Sequence, residues 1–256
     1  MYSGIFDTHA HYDEEIYSSY ADALLLNEHK YRGVDLIMNI GSDLPSSERS
    51  CALAEKYDFF YAAVGVHPMN TGDLPDDWLD RLEAMTKRLR VVCIGEIGLD
   101  YFFKQPEKSV QQARFIEQLD LAARLGLPVN IHDRESHNDM LRILLDRRPR
   151  GILHRFAGSP DMAEKVADMG MFIGVGPEVT FPNEKSRRES VKRVGIDHLV
   201  LETDAPFISP TTHKGEPCIS SWIGEVAETV GELLKMDPQE VIDRTTINAK
   251  RIFDVA

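Results

Sequence analysis

Histidines follow several of the apolar segments of this sequence. His9 and His11 end the first segment, His67 follows the third, and His132 and His154 lie at the ends of the fifth and sixth. If these segments are parallel strands of a barrel, their carboxyl ends meet at one rim, where catalytic groups collect. Imidazole is the commonest metal ligand in proteins. One such histidine alone would indicate a structural residue, whereas the set predicts a metal centre.

The pair His9 and His11 carries a further constraint. Residues two apart in an extended segment point to the same face, so both imidazoles face the interior. Two protonated rings held side by side would repel each other, whereas two neutral rings can converge on a cation. For this pair taken alone, a hydrogen-bonded histidine pair in a turn is an equally open interpretation.

Two carboxylates end other apolar segments. Glu96 closes the fourth and Asp204 the eighth, so each needs a partner that offsets the cost of burial. A glutamate can bridge two cations, and two metals about 3.5–4 Å apart can bind a nucleophilic water and clamp an ester or phosphate. For either carboxylate alone, an ion pair at the barrel mouth is the simpler interpretation.

Two more carboxylates are expected on the same strand faces as His9 and Asp204, one layer deeper in the barrel. Asp7 lies two residues before His9, and Glu202 lies two before Asp204. Carboxylates behind a metal site commonly orient the ligating histidines through the far ring nitrogen. We predict that role for Asp7 and Glu202, with buried ion pairs to arginine or lysine as the alternative.

The elements that must position these residues alternate regularly along the chain. Eight strand-like segments, each followed by a helical one, within 256 residues favour a (β/α)₈ barrel that forms one domain over residues 1–256. An open doubly wound sheet would need a glycine-rich loop after its first strand, which this sequence lacks. The predicted strands are Gly4–His9, Val34–Ile40, Phe59–Val66, Val91–Ile97, Leu127–His132, Gly151–Phe156, Met171–Val175 and His198–Thr203. The predicted helices are Ser19–Tyr31, Ser46–Tyr57, Trp78–Leu89, Ser109–Leu125, Ser136–Arg147, Ser159–Met169, Lys185–Val194, Ser220–Lys235 and Pro238–Phe253.

Composition limits the class of protein. Hydrophobic residues make up 43% and charged residues 28%, as in ordinary globular proteins. The sequence has neither an apolar run of about 20 residues nor a signal-peptide pattern at its start. The cysteines Cys51, Cys93 and Cys218 are far apart, which predicts free thiols. We therefore expect a cytoplasmic protein with no membrane association and no obligate protein partner.

The net charge of the chain is negative. Lysine and arginine total 29 against 42 aspartate and glutamate residues, giving a formal charge of −13. Proteins that coat nucleic acid non-specifically usually present a basic surface. A polyanionic substrate must therefore be met by a local basic patch or by bound metal cations.

Six short motifs, taken in order, resemble those of TatD-type metal-dependent deoxyribonucleases, a family within the barrel metallohydrolases. The resemblance runs from about Phe6 to Pro217, nearly the whole chain. The motifs are Asp7-Thr-His-Ala-His, Gly65-Val-His-Pro, Gly95-Glu-Ile-Gly-Leu-Asp-Tyr, His132-Asp-Arg, His154-Arg-Phe-Ala-Gly and Glu202-Thr-Asp-Ala-Pro.

The resemblance implies a divalent-metal-dependent phosphodiesterase, typically a magnesium-dependent DNase with 3′→5′ exonuclease activity on DNA ends. It implies two metal ions, with a metal-bound water as the nucleophile and Asp204 accepting its proton. His67 and Arg134 would contact a substrate phosphate, although an ion pair with Asp133 or Glu135 is an equal alternative for Arg134. One metal would be held by His9, His11, Glu96 and Asp204, and the second by Glu96, His132 and His154.

The chain departs from the family pattern in two places. Arg155 stands where the family usually has cysteine, and strand alternation predicts that its side chain points away from the metals. In the loop after the eighth strand, His213-Lys-Gly-Glu-Pro keeps Gly215, Glu216 and Pro217 but lacks the arginine and asparagine common in the family. Because this loop should border the substrate cleft, the departure bears on the choice of substrate.

Alternative functions keep the same metal centre. An amidohydrolase-type enzyme could cleave a small ester, lactone or cyclic amide, or deacylate an aminoacyl-tRNA. Many such enzymes carry a carboxylated lysine at the end of the fourth strand, where this chain has Glu96. A non-catalytic barrel would be expected to have lost metal ligands, yet all are present. Three or more imidazoles suit zinc, manganese or iron better than magnesium, whereas the family resemblance favours magnesium.

Overall fold

Eight parallel strands form one barrel in the computed structural model, which describes residues 2–256. Each strand pairs with the next one in the sequence, and a bridge between Ala10 and Ala205 joins the first strand to the segment after the last. This arrangement confirms the predicted (β/α)₈ barrel. The strands are β1 (Ile5–Ala10), β2 (Val34–Ile40), β3 (Phe60–Val64), β4 (Val91–Asp100), β5 (Val129–Arg134), β6 (Gly151–Leu153), β7 (Phe172–Val175) and β8 (Leu199–Leu201).

The helices alternate with the strands as predicted and surround the barrel. The second helix begins two residues earlier than expected, because Asp43 caps it by accepting a hydrogen bond from the Ser46 amide at 2.7 Å. The α-helices are α1 (Ala21–Tyr31), α2 (Leu44–Lys56), α3 (Trp78–Met85), α4 (Lys108–Leu125), α5 (His137–Arg147), α6 (Pro160–Asp168), α7 (Lys185–Val194), α8 (Ile223–Leu234) and α9 (Pro238–Phe253).

Apolar side chains fill the space between strands and helices. All six residues of β1 are buried, as are the last eight of β4, which is expected for parallel strands covered on both faces. Most of the buried polar side chains in these two strands lie towards the carboxyl ends. Burying a polar side chain costs free energy unless it has a partner. These polar groups lie together at one rim of the barrel, where they can partner one another.

A glycine allows β4 to approach β5 closely at this rim. Gly98 has φ +144°, and a Cβ atom on it would lie 2.0 Å from the backbone oxygen of His132. Any other residue would push the two strands apart. Gly98 therefore sets the spacing between the segments that carry Glu96 and His132.

Two expectations from composition can be compared with the structure. Within residues 2–256, no helix is both long enough and apolar enough to cross a membrane. Cys51, Cys93 and Cys218 are free and buried, as their spacing predicted.

Candidate metal centre

The six predicted metal ligands converge at the carboxyl-terminal mouth of the barrel. β1 and the residue after it carry His9 and His11. Glu96 lies in β4, His132 in β5, His154 directly after β6 and Asp204 three residues after β8. Five of the six line one cleft, and His9 lies fully buried directly beneath it. The lining residues are His11, Glu96, His132, His154 and Asp204.

His9 and His11 face each other through their Nε2 atoms, 3.1 Å apart. The Nδ1 atom of His9 donates to the Asn130 side-chain oxygen at 2.9 Å, and that of His11 donates to the backbone oxygen of Ile40 at 2.9 Å. In neutral rings with these tautomers, both Nε2 atoms carry lone pairs directed at the same point. Either a shared proton or a cation must lie between them.

Glu96 lies between two groups of histidines. Its Oε2 is 3.7 Å from the Nε2 atoms of both His9 and His11. Its Oε1 is 2.9 Å from Nδ1 of His132 and 3.2 Å from Nε2 of His154. Burial would raise the pKa of Glu96, but the surrounding histidines outweigh it and hold that pKa well below its usual value. The carboxylate is thus ionised, with one oxygen towards each group of histidines.

Asp204 completes the His9 and His11 side of the cleft. Its Oδ1 lies 3.6 Å and 3.4 Å from the Nε2 atoms of these two histidines. Burial opposes ionisation, but Arg155 and His11 hold the pKa of Asp204 well below its usual value. Asp204 is therefore ionised at neutral pH.

Glu202 lies behind His154, beside its Nδ1 atom. Its Oε1 is 3.5 Å from the His154 Nδ1 atom, which has no hydrogen-bond partner among the described residues. Burial lowers the pKa of His154, but Glu202 and Glu96 outweigh that effect and raise it to about 10. This carboxylate is placed to orient the ring.

The prediction that Asp7 orients a ligating histidine ring is wrong. Asp7 accepts hydrogen bonds from the Thr203 hydroxyl at 2.6 Å and the Ser220 hydroxyl at 2.7 Å, and it reaches only the backbone N–H of His9. The side chain of Asp7 braces the segment before Asp204. The far nitrogen of His9 is instead bound by Asn130 from β5, which side-chain alternation along β1 alone could not reveal.

His67 lies beside the cleft in the loop after β3. Its Nδ1 accepts a hydrogen bond from the Met69 amide at 3.2 Å, so the proton of the neutral ring is on Nε2. Burial lowers the pKa of His67 to about 3, which keeps the ring neutral. Its Nε2 lies 3.7 Å from Glu96 Oε1. A neutral N–H donor therefore faces the cleft.

Arg134 also lines the cleft, at the end of β5. Its guanidinium lies 3.8 Å from the centroid of the Phe102 ring and 5.5 Å from that of Phe103. No carboxylate of the described residues forms a salt bridge with it, so the alternative of an ion pair with Asp133 or Glu135 is wrong. A stacked guanidinium keeps its N–H edges available for a ligand.

Arg155 corrects another expectation, because its side chain points into the cleft. The guanidinium donates to Asp204 Oδ2 at 2.7 Å and to Glu178 at 2.6 Å. Strand alternation fails here because β6 ends at Leu153 and Arg155 has φ +43°, in the left-handed region. The alternation of side chains between the two faces of a strand does not apply to a residue beyond the end of the strand.

Asp100, at the end of β4, was not among the predicted site residues. Its Oδ2 lies 3.1 Å from the Nε2 atom of His132, the ring nitrogen opposite the one that faces Glu96. The signal was present in the Gly-Leu-Asp-Tyr stretch, but the predicted fourth strand ended at Ile97. Because β4 extends to Asp100, this carboxylate reaches the mouth as well.

The donor set fits divalent cations. Four groups of three side chains each place one ligand atom per residue within 4.8 Å of one another. Two of them contain only predicted ligands: His9, His11 and Glu96 in one, and Glu96, His132 and His154 in the other. The other two are His9, His154 and Glu202, and His67, Asp100 and His132. The facing lone pairs of His9 and His11 and the partnerless Nδ1 of His154 are features that bound cations and an oriented ring would explain.

Comparison with known proteins identifies the family. The model of the family described as TatD related DNase matches residues 6–254. The chain belongs to this TatD family.

Relatives in the TatD family match most or all of the chain. It is 36% identical over 254 residues to the uncharacterized metal-dependent hydrolase YabD of Bacillus subtilis, covering 98% of this chain and 99% of that protein. It is 33% identical to the 3'-5' ssDNA/RNA exonuclease TatD of Cronobacter sakazakii, covering 86% and 87%. The crystal structure of the TatD homolog YJJV from Escherichia coli K12 superposes with a TM-score of 0.93 at 33% identity, covering both chains completely. The protein is thus a metal-dependent hydrolase of the TatD DNase family.

Replacing Asp100 with asparagine tests how the TatD site orients His132. The amide offers a weaker acceptor to the His132 Nε2 proton, so we expect metal affinity at the His132 side to fall about 10- to 100-fold. Titration calorimetry with Mn²⁺ measures this change. Asp139→Asn is the matched control, since Asp139 accepts from Tyr101 outside the cleft. Equal affinities in both variants and the wild type would show that Asp100 has no such role.

Proposed function

We propose that this TatD-family protein is a phosphodiesterase that removes nucleotides from DNA ends with 3′→5′ polarity. The observation that carries the proposal is the position of Glu96, with one oxygen towards each of two histidine pairs. A relative that is 33% identical is named a 3'-5' ssDNA/RNA exonuclease, which supports this substrate and polarity. In this proposal the whole chain, residues 1–256, acts as one hydrolase domain.

Two divalent cations are proposed, one on each side of the bridging Glu96. When bound, they supply an activated water at neutral pH and stabilise charge on a phosphate. Each proposed position has two imidazoles, which favours zinc or manganese, whereas the family resemblance favours magnesium. The first would be held by His9, His11, Glu96 and Asp204, and the second by Glu96, His132 and His154.

The remaining groups act on the proton and on the phosphate. Asp204 is ionised, and Arg155 holds its Oδ2 while Oδ1 faces the histidines, so Asp204 is placed to accept a proton from the attacking water. The N–H of His67 and the guanidinium of Arg134 point into the same cleft. We propose that they bind non-bridging phosphate oxygens. These groups and the cations supply local positive charge on a chain whose net charge is −13.

End-labelled DNA tests the proposal. The protein is incubated with single-stranded and duplex oligonucleotides labelled at the 5′ end, in Mg²⁺, Mn²⁺ or Zn²⁺, beside Glu96→Ala and His132→Ala. We expect a ladder that shortens stepwise from the 3′ end and is absent in both variants. Intact DNA with every cation would refute the nuclease proposal and direct assays to small esters, amides and aminoacyl-tRNA.

A further inference from the structure

Three exposed phenylalanines lie at the cleft of the metal centre or beside its lining residues. Phe102, Phe103 and Phe207 are 49%, 45% and 59% exposed, although burying such rings is ordinarily favourable. Phe103 and Phe207 line the same cleft as the proposed metal ligands. Exposed aromatic groups at the entrance to a polar cleft indicate contact with a ligand that has both polar and aromatic parts.

The rings stand on opposite sides of the cleft. Phe103 lies three residues after β4, and Phe207 lies in the loop after β8. In a closed barrel of eight strands in sequential order, β4 and β8 are four strands apart and therefore face each other across the mouth. The centroid of the Phe207 ring is 5.4 Å from that of His11, at the edge of the metal centre.

Each ring has a different environment. Phe103 packs edge-on against Phe102 with ring centroids 5.0 Å apart, and the guanidinium of Arg134 covers Phe102. Phe207 also lines a neighbouring cavity of about 480 Å³, whose walls include Phe181, Ile208 and Lys214. On one side of the cleft, Phe103 is thus held by Phe102, with the Arg134 guanidinium nearby. On the other side, Phe207 borders a largely apolar cavity.

We propose that Phe103 and Phe207 stack on the two nucleobases that flank the scissile phosphate, and so select single-stranded nucleic acid. The inference rests on the proposed nuclease function. A phosphodiester between the rings carries one nucleoside on each side, matching one ring on each side of the cleft. Base faces are available for such stacking only when the bases are not stacked within a duplex. A protein partner bound to these rings would cover the cleft that substrate must enter.

Stacking also accounts for binding by an acidic protein. The net charge of −13 gives no general attraction for a polyanion, whereas the stacking of bases on aromatic rings needs no surface charge. Loss of one stacked base weakens binding about 5- to 150-fold. We expect Phe103→Ala and Phe207→Ala each to lower kcat/KM on a single-stranded oligonucleotide by that factor, mainly by raising KM.

The test compares two substrates. The wild type, both alanine variants and Phe207→Trp are assayed with an oligonucleotide and with methyl p-nitrophenyl phosphate, which has no nucleobase. The loss in the alanine variants should be at least fivefold larger on the oligonucleotide, and Phe207→Trp should keep most of the wild-type value. Ile247→Ala is the matched control, because Ile247 is 60% exposed on α9, away from the cleft.

A fluorescent base reports stacking directly. An oligonucleotide with 2-aminopurine beside the scissile bond should be quenched by the wild type and less by the double variant Phe103→Ala, Phe207→Ala. Unchanged oligonucleotide kinetics in both alanine variants, or equal losses on the two substrates, would overturn the stacking proposal alone. Hydrolysis of the small diester by a wild type that leaves every oligonucleotide intact would instead refute the nuclease function.

Discussion

Replacing Glu96 with glutamine is expected to reduce hydrolysis of phosphodiesters by about 10³-fold or more. The amide keeps the size of the side chain but removes its charge, and only one of its two polar atoms is an oxygen. Because each oxygen of Glu96 faces a different histidine pair, the substitution weakens both metal positions at once. The rate on methyl p-nitrophenyl phosphate and the metal content after gel filtration, measured by mass spectrometry, check both consequences.

Glu28→Gln is the matched control for this substitution. Glu28 is a fully buried glutamate on α1, where its Oε2 accepts a hydrogen bond from the Ser221 amide at 2.7 Å, outside the cleft. Its variant should keep the wild-type rate and metal content. A Glu96→Gln protein with two bound metals and near-normal activity would show that this carboxylate does not bridge them.

Metal binding is expected to strengthen steeply as pH rises. Burial lowers the pKa of His11, but hydrogen bonding and attraction to Asp204 outweigh it and raise that pKa to about 9, whereas the pKa of His9 is lowered. In the metal-free protein, His11 therefore holds a proton at Nε2, which lies 3.1 Å from Nε2 of His9 and 3.4 Å from Asp204 Oδ1. A cation bound between these atoms must displace that proton.

The sign of the effect follows from this competition. Below pH 9 the proton must leave before the cation binds, so affinity at the His9 and His11 position should rise about tenfold per pH unit and level off above pH 9. From pH 6 to pH 8 the gain is about 100-fold. Titration calorimetry in two buffers of different ionisation enthalpy measures both the affinity and the proton released. An affinity independent of pH between 6 and 8 would contradict a proton held on His11.

The barrel could be predicted from the sequence because its signal is regular. Strand β2, helix α7 and helix α9 have the predicted bounds, and the other elements differ by a few residues at their ends. Short apolar runs indicate buried parallel strands, and amphipathic segments indicate helices with one buried face. The hydrophobic pattern therefore predicts both kinds of element. The convergence of the six proposed ligands followed from the same pattern, because every one lies at or near the carboxyl end of a strand.

Other features depend on information that a single strand does not contain. Asn130 reaches His9 from a different strand, so no pattern within β1 could reveal the contact. Arg155 enters the cleft because its backbone is left-handed just after β6, where alternation no longer applies. The exposure of Phe103 and Phe207 depends on loop conformation, since phenylalanines in a sequence ordinarily indicate core.

Crystals grown with Mn²⁺ and measured at its absorption edge would locate the cations directly. Two anomalous peaks are expected about 3.5–4 Å apart, one beside the Nε2 atoms of His9 and His11 and the other beside Nδ1 of His132 and Nε2 of His154. The carboxylate of Glu96 should lie between them with one oxygen on each. A single peak, or two peaks on the same side of Glu96, would contradict a centre of two bridged metals.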